Sequence, residues 1–203
     1  MKLLHGFSRG MIPENIIFEN DIIFRLNLPA QPCQRILQDG IVKEGNILKV
    51  DSFLNHQIDV KLMNEIGKEV KRLFGHKNIT KILTIEASGI AAATIIAQYF
   101  EVPVLFAKKA KSQNLDGDLF TSVVRSYTYG KDYTITVSKK FIGSDDHVLI
   151  IDDFLAVGSA MKGLIDVCDQ AGATVEGIGI MVEKGFQEGG KYLREAGYDL
   201  QSM

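Results

Sequence analysis

The chain has 203 residues, 46% of them hydrophobic, and a net charge of −2, which suits one domain with a sizeable core. This near-neutral balance leaves no basic footprint for nucleic acid. No apolar run reaches the roughly 18 residues needed to span a membrane. The apolar stretch Ile16 to Leu28 is broken by Glu19, Asp21 and Arg25 and has neither the basic start nor the cleavage site of a signal peptide. Cys33 and Cys168 show no metal-ligand spacing, so a reduced cytoplasmic protein with two unreactive thiols is expected.

Residues 1–34 form an N-terminal extension of unassigned role, with the main domain expected over 35–203. Its two apolar triplets, Ile16 to Phe18 and Ile22 to Phe24, would form a hairpin, pack near the site, or lie at an interface. Lys49 to Gln57 is polar and apolar by turns. From Asp59, residues Leu62, Met63, Ile66, Val70 and Leu73 recur at helical spacing, and Gly75 is a plausible stop. Lys81 to Ile85 reads as a short buried strand. Ser88-Gly89 opens a helix over Ile90 to Phe100 that is apolar on nearly all faces and so expected to be buried. Val102 to Ala107 is the next strand, which completes a right-handed β–α–β unit.

Lys108 to Leu119 is polar, basic and aperiodic. Phe120 to Arg125 and Asp132 to Val137 alternate like an antiparallel hairpin, with Tyr129-Gly130 as its turn. Val148 to Ile151 reads as a buried strand running into Asp152 and Asp153. A small-residue loop follows, Ala156-Val157-Gly158-Ser159-Ala160, and then a helix to about Gln170, ended by Gly172. Val175 to Val182 is the last strong strand, and Gly189 to Ala196 a short helix. The expected fold is α/β: a mostly parallel twisted sheet with helices on both faces, interrupted by a flexible loop and a hairpin.

The segment from Val148 to Ala160 carries the most chemistry. Ligands of open α/β sheets sit beyond the carboxyl ends of the strands. Ionised aspartates accept hydrogen bonds from hydroxyls, and a loop that opens a helix presents bare N–H groups to an anion. Carboxylates beside such a loop suggest a sugar phosphate. Glu86-Ala87-Ser88-Gly89 joins a strand to a helix in the same way. Ser88 and Gly89 there are either phosphoryl donors or a helix cap with a packing glycine.

The strand, the acid pair and the small-residue loop together resemble the phosphoribosyl diphosphate (PRPP) motif of the purine and pyrimidine phosphoribosyltransferases. The resemblance implies a type I phosphoribosyltransferase fold, with a small hood over the base and the aperiodic loop as a mobile lid. It implies that Asp152 and Asp153 contact the ribose hydroxyls and that Ala156, Val157, Gly158, Ser159 and Ala160 bind the 5′-phosphate. It also puts Ser88 and Gly89 in the diphosphate loop. The family often places an Arg-Lys pair where this chain has Lys108 and Lys109, and Lys108, nearest the strand end, is the first expectation for the diphosphate. Val157 and Ala160 stand where threonines are common in the family, so only Ser159 offers the phosphate a hydroxyl, and weaker PRPP binding is expected.

Lys49 to Asp59, together with Val182-Glu183-Lys184-Gly185-Phe186-Gln187, resembles the xanthine-using branch of that family. By that resemblance Leu48 and Asn55 contact the base and Lys184 is its lysine. An ammonium favours the more anionic purine, an amide can donate and accept along a purine edge, and Phe186 could stack on the ring. The implied reaction converts PRPP and xanthine to xanthosine 5′-monophosphate and diphosphate. Mg²⁺ would be held mainly by PRPP and water rather than by protein ligands, and a homodimer is expected. The branch continues beyond the position of Met203, so a bare sheet edge and a less stable or inactive protein are also expected. The alternatives are a PRPP-sensing regulator without turnover and an enzyme for guanine, hypoxanthine or adenine.

Overall fold

The computed structural model describes residues 15–18, 22–25, 39–43, 47–109, 117–126 and 131–203. Two short antiparallel pairs come first: β1 (Asn15–Phe18) with β2 (Ile22–Arg25), and β3 (Ile41–Lys43) with β4 (Ile47–Lys49). A π-helical turn over Asp51–Asn55 leads to helix α1 (Val60–Phe74). Then follow β5 (Lys81–Ile85), α2 (Gly89–Phe100) and β6 (Val104–Ala107). The hairpin is β7 (Leu119–Ser126) with β8 (Lys131–Ser138). Its expected turn at Tyr129-Gly130 lies outside the described residues, as does most of the expected lid. The chain continues through β9 (His147–Leu155), α3 (Ser159–Ala171), β10 (Thr174–Lys184), α4 (Gly189–Glu195) and β11 (Leu200–Ser202).

The central sheet runs β1-β2-β10-β9-β5-β6, with β11 also on β10. The pairs β10–β9, β9–β5, β5–β6 and β10–β11 are parallel. Side chains alternate across β9 as the pleat requires. Leu149 and Ile151 face Met63, Ile66, Val70 and Phe74 of α1 and Ile96 of α2. Val148 and Ile150 face Met161, Leu164 and Val167 of α3 and Val124 and Ile135 of the hairpin. The hairpin therefore covers one face of the sheet together with α3.

Local chemistry explains the element ends. The Asp59 carboxylate accepts from the N–H groups of Lys61 and Leu62 at 3.1 Å, capping α1. Gly172, at φ 71°, ends α3. Burial raises the Cys168 thiol to about 12, so it stays protonated at neutral pH.

Three expectations need correction. Helix α2 buries only the stripe Gly89, Ala92, Ala93, Ile96 and Ala97, leaving Thr94 and Gln98 exposed; its small alanines let it lie close on the sheet with its outer side open. Strand β9 does not stop at Ile151 but runs through both acids to Leu155, because β10 pairs with it along that length. The edge of β10 is not bare: β11 pairs along Ile178–Ile180, and β2 meets Glu183 and Lys184 through Arg25 and Phe24. Met203 is fully buried and donates its N–H to Ile180 O at 2.7 Å.

Candidate active site

The acids sit on the last turns of β9, where the strand leaves the core. Both are buried, Asp152 at 5% exposure and Asp153 at 8%. Asp152 Oδ1 accepts from the Asp153 N–H, and Asp153 Oδ1 from the Phe154 N–H, each at 3.0 Å. Desolvation, and then the adjacent Asp153 charge, push the Asp152 carboxyl well above the usual carboxylate range.

The following loop opens α3. Gly158, at φ 84°, is the cap residue in the left-handed region that glycine occupies without strain. The first N–H groups of α3 have no partners within the helix, and its N-terminal dipole favours an anion. The loop is held from outside by α4. Gly189 donates its N–H to Ala156 O at 3.1 Å, and a Cβ at Gly189 would lie 2.3 Å from that oxygen. Only glycine allows this approach.

A cavity of about 390 Å³ lies over the loop. All five residues expected at the phosphate, Ala156, Val157, Gly158, Ser159 and Ala160, line it, and so does Lys184 from the end of β10. Lys184 is half-buried, and desolvation lowers its pKa. Phe154, Tyr133, Arg125 and Gln187 complete much of the wall. Tyr133 on β8 has its pKa raised by burial first and by the Asp152 charge second, which puts the hairpin beside the acids. A larger cavity of about 660 Å³ lies outside β6, lined by Phe106, Lys108, Lys140 and Phe141. It has no α-helix N-terminus, so the smaller cavity, which adjoins the end of β9 just past the two acids, is the candidate site.

The other sequence-predicted residues divide. Asn55, at the end of the π-helical turn, brings its Nδ2 to 3.4 Å from Asp153 Oδ2. Gly89 packs at the acids: a Cβ there would lie 3.0 Å from Asp152 Oδ1. Ser88 makes no side-chain capping bond, which removes the capping role proposed for it. Leu48 is buried in the core with Val50 and Phe53 and does not line the 390 Å³ cavity. Lys108 pairs through its backbone with Thr136 and lines the outer cavity. Lys109 instead lends its charge to Asp152 and sits over the Tyr133 ring at 5.6 Å. Both lysines lie just beyond β6, and of the two it is Lys109 whose charge acts on Asp152. Phe186 is 38% exposed and lines a separate cavity with Glu188 and Arg194. The aromatic rings that share the Lys184 cavity are Phe154 and Tyr133.

Sequence reading missed Arg125, Tyr133, Phe154, Gln187 and Gly189. The Gly189-Gly190 pair was the one visible signal, because successive glycines at a helix start mark close backbone approach. Among the described residues no group of three or more His, Cys, Asp or Glu side chains converges on a metal position. A divalent cation here would meet at most the Asp152–Asp153 pair and would need oxygens from substrate and water.

The phosphoribosyl transferase domain model matches residues 49–192. A protein named xanthine phosphoribosyltransferase from Lachnoclostridium phytofermentans is 63% identical over 169 residues, covering 83% of this chain and 87% of that protein. Another of the same name from Ruminiclostridium cellulolyticum is 64% identical over 170 residues, covering 84% and 90%. Among solved structures, adenine phosphoribosyltransferase from Rhodothermus marinus superposes with a TM-score of 0.70 at 21% identity, covering 86% of this chain and 98% of that one; at that identity the likeness concerns the fold. With a glycine-capped helix start and a half-buried lysine around one cavity, just past the paired carboxylates of β9, and with the family model matching residues 49–192 and these relatives, the chain belongs to the phosphoribosyl transferase domain family.

Proposed function

We propose that the protein transfers the 5-phosphoribosyl group from PRPP to xanthine, giving xanthosine 5′-monophosphate and diphosphate. The observation that carries this reading is one cavity that joins the N-terminus of α3 to Lys184, directly after Asp152 and Asp153 on β9. The names and identities of the curated relatives support the choice of base.

In this reading the 5′-phosphate lies on the loop Ala156–Ala160, bound mainly by backbone donors and by the Ser159 hydroxyl. Asp152 and Asp153 hold the ribose hydroxyls, and Asn55 steadies Asp153. The diphosphate lies toward Ser88, Gly89 and Lys109. Lys184 donates to a purine oxo group and favours the electron-rich form of the base. A purine ring nitrogen forms the bond to the anomeric carbon as the bond to diphosphate breaks, and the nitrogen's proton leaves to solvent. The transition state resembles an oxocarbenium ion, so holding base, sugar and leaving group in line is the main task of the protein. Bound Mg²⁺ would neutralise the departing diphosphate, with Asp152 and Asp153 the carboxylates near enough to matter.

The proposal includes residues 35–203 as the transferase domain, with 1–34 as an extension whose β1–β2 strands join its sheet. It also includes a cytoplasmic setting and a homodimer. Phe106 (36% exposed) and Phe141 (57%) beside Lys108, on the outer side of β6, offer an apolar and basic surface to a second copy. Sedimentation of the purified protein tests the dimer.

The deciding assay is PRPP-dependent diphosphate release with xanthine, guanine, hypoxanthine and adenine in turn. Release that is fastest with xanthine is expected. PRPP binding without turnover would favour a sensor, and fastest release with another base would reassign the substrate.

A further inference from the structure

The hairpin runs along α3 toward the end that opens on the cavity. Gln170, in the last turn of α3, donates from Nε2 to Thr121 O on β7 at 2.9 Å. Nearer the start of α3, Gly163 makes room for Val124: a Cβ there would lie 2.5 Å from Val124 Cγ2. From Gln170 back to Gly163 the helix covers about 10 Å, and from Thr121 on to Val124 the strand covers about 10 Å as well. Strand β7 therefore descends α3 in step with it, and its next residues arrive at the first turn of the helix. Arg125 accordingly lines the 390 Å³ cavity together with Ala156 to Ala160. It is exposed rather than packed in the core, so a ligand in that cavity can meet it. The loop also calls for a cation. A phosphate monoester carries about −1.5 to −2 charge at neutral pH, and a helix start offers only about +0.5. Lys162, in the first turn of α3, is turned to the Tyr192 ring, 3.9 Å from its centre. Among the described residues the cations that line the cavity are Arg125 and Lys184, and Lys184 is taken by the base in the reading above.

We infer that Arg125 is a binding residue for the 5′-phosphate: its guanidinium donates to the phosphoryl oxygens from the hairpin side, while the N–H groups of the loop donate from the helix side. The planar fork of an arginine matches two phosphoryl oxygens at once. It adds one side-chain charge to a site otherwise made of backbone donors and the Ser159 hydroxyl. Asp132 lies opposite Arg125 in the β7–β8 ladder, on the same face, and supplies the competing role, a surface ion pair within the hairpin. This inference rests on the reading of the loop before α3 as the phosphate site.

Two probes test it: ribose 5-phosphate, which has the phosphate but no diphosphate, and inorganic diphosphate. Each is titrated by calorimetry into the full chain and into Arg125→Ala, Arg125→Lys and Asp132→Asn, with thermal unfolding and KM for PRPP measured alongside. Ribose 5-phosphate should bind Arg125→Ala about tenfold more weakly than wild type, the scale of one charge-assisted hydrogen bond. Arg125→Lys, which keeps the charge and loses the fork, should fall between them. KM for PRPP should rise by a similar factor, with diphosphate affinity within twofold and the ranking of bases unchanged. Asp132→Asn should leave both affinities within twofold. Equal ribose 5-phosphate affinity in wild type and Arg125→Ala would overturn the inference. So would a loss confined to diphosphate, which would move Arg125 to the leaving group, and so would an equal loss in Asp132→Asn, which would make the hairpin pair the cause. If wild type binds PRPP but not ribose 5-phosphate, the PRPP affinity of the variants decides, and an unchanged value in Arg125→Ala overturns the inference. If Arg125→Ala unfolds at the assay temperature, Arg125→Lys against wild type decides in the same way. If wild type turns over PRPP and Arg125→Ala binds the probes as wild type does, only this inference fails. If wild type binds neither ribose 5-phosphate nor PRPP, the proposed function itself fails, and this inference with it.

Discussion

The two halves of the site are built from different material. The half proposed for the phosphate is backbone: a strand end, a glycine-capped loop and the first turn of α3, all within Asp152 to Ala160. The half proposed for the base is side chains: Phe154 from β9, and Lys184 and Gln187 from the end of β10 and the turn beyond it, with Asn55 of the π-helical turn reaching Asp153. Backbone donors are supplied by the fold and tolerate changes of residue, which is why Val157 and Ala160 can stand in the loop without removing its N–H groups. Side-chain recognition has no such tolerance, because each atom must come from one residue at one place.

The sharpest way to separate the halves is at their junction. Asp153→Ala should lower kcat/KM at least roughly 100-fold, the scale of removing a positioning or electrostatic contact. Near-normal turnover in steady-state assays would remove Asp153 from the ribose. Next in size is Gly189→Ala. Its Cβ would press on Ala156 O and push the loop off its position. KM for PRPP should rise on the order of tenfold, since misplacement by an ångström can cost up to 10²-fold, while the ranking of bases stays as in wild type. A change in that ranking would show that the halves are not separable.

Lys184 sharpens the contrast from the other side. Lys184→Ala should reduce kcat/KM for xanthine about tenfold, as for the loss of a charge-assisted hydrogen bond, with KM for PRPP little changed. Burial lowers the Lys184 pKa, so its charge is lost on the alkaline side before the ordinary lysine range. The pH profile of kcat/KM for xanthine should fall there, and Lys184→Arg should carry that fall to higher pH. An unchanged alkaline limb in the arginine variant would separate Lys184 from the titration.

The smallest effect concerns stability. A carboxyl whose pKa is raised in the folded state contributes most below its unfolded pKa, and that contribution is lost as pH rises through the folded value. At neutral pH the buried Asp152 therefore destabilises the fold, and Asp152→Asn should raise Tm while abolishing most activity. A gain of 1 kcal/mol would appear as about 2–4 °C in a domain of this size. A lower Tm at pH 7, measured by calorimetry, would contradict the burial argument.

The same division explains what could be read in the sequence. Strand β5 and helix α1 were legible to within a residue because each has a single periodicity and clear punctuation. The small-residue loop between β9 and α3 was legible because its residues are contiguous. Lys108 and Lys109 could not be told apart because both lie beyond the end of β6, where no strand periodicity orders their side chains. Phe186 looked like the stacking ring, yet the turn that carries Gln187 back to the cavity sends Phe186 outward. Tyr133 and Arg125 gave no signal, since nothing in an alternating hairpin says that it will lie over a loop some thirty residues further on. Residues 15–25 offered three placements, and the backbone pairing of Phe24 with Lys184 selected a hairpin that joins the sheet.

Glu183 has a consequence of another kind. Its carboxylate is 2% exposed and is gripped by both terminal nitrogens of Arg194, at 2.9 and 2.7 Å, and by the Ser202 hydroxyl. One partner comes from α4 and the other from β11. If α4 frays, Glu183 loses its Arg194 partner, and losing one member of a buried pair costs about 3–5 kcal/mol; if β11 frays, it loses the Ser202 hydroxyl. Partial opening of the last turns of the chain is thereby penalised out of proportion to the surface it exposes. The C-terminal segment and the centre of the sheet are tied into one cooperative unit, and the expected signature is amide hydrogen exchange in β11 that is as slow as in β10.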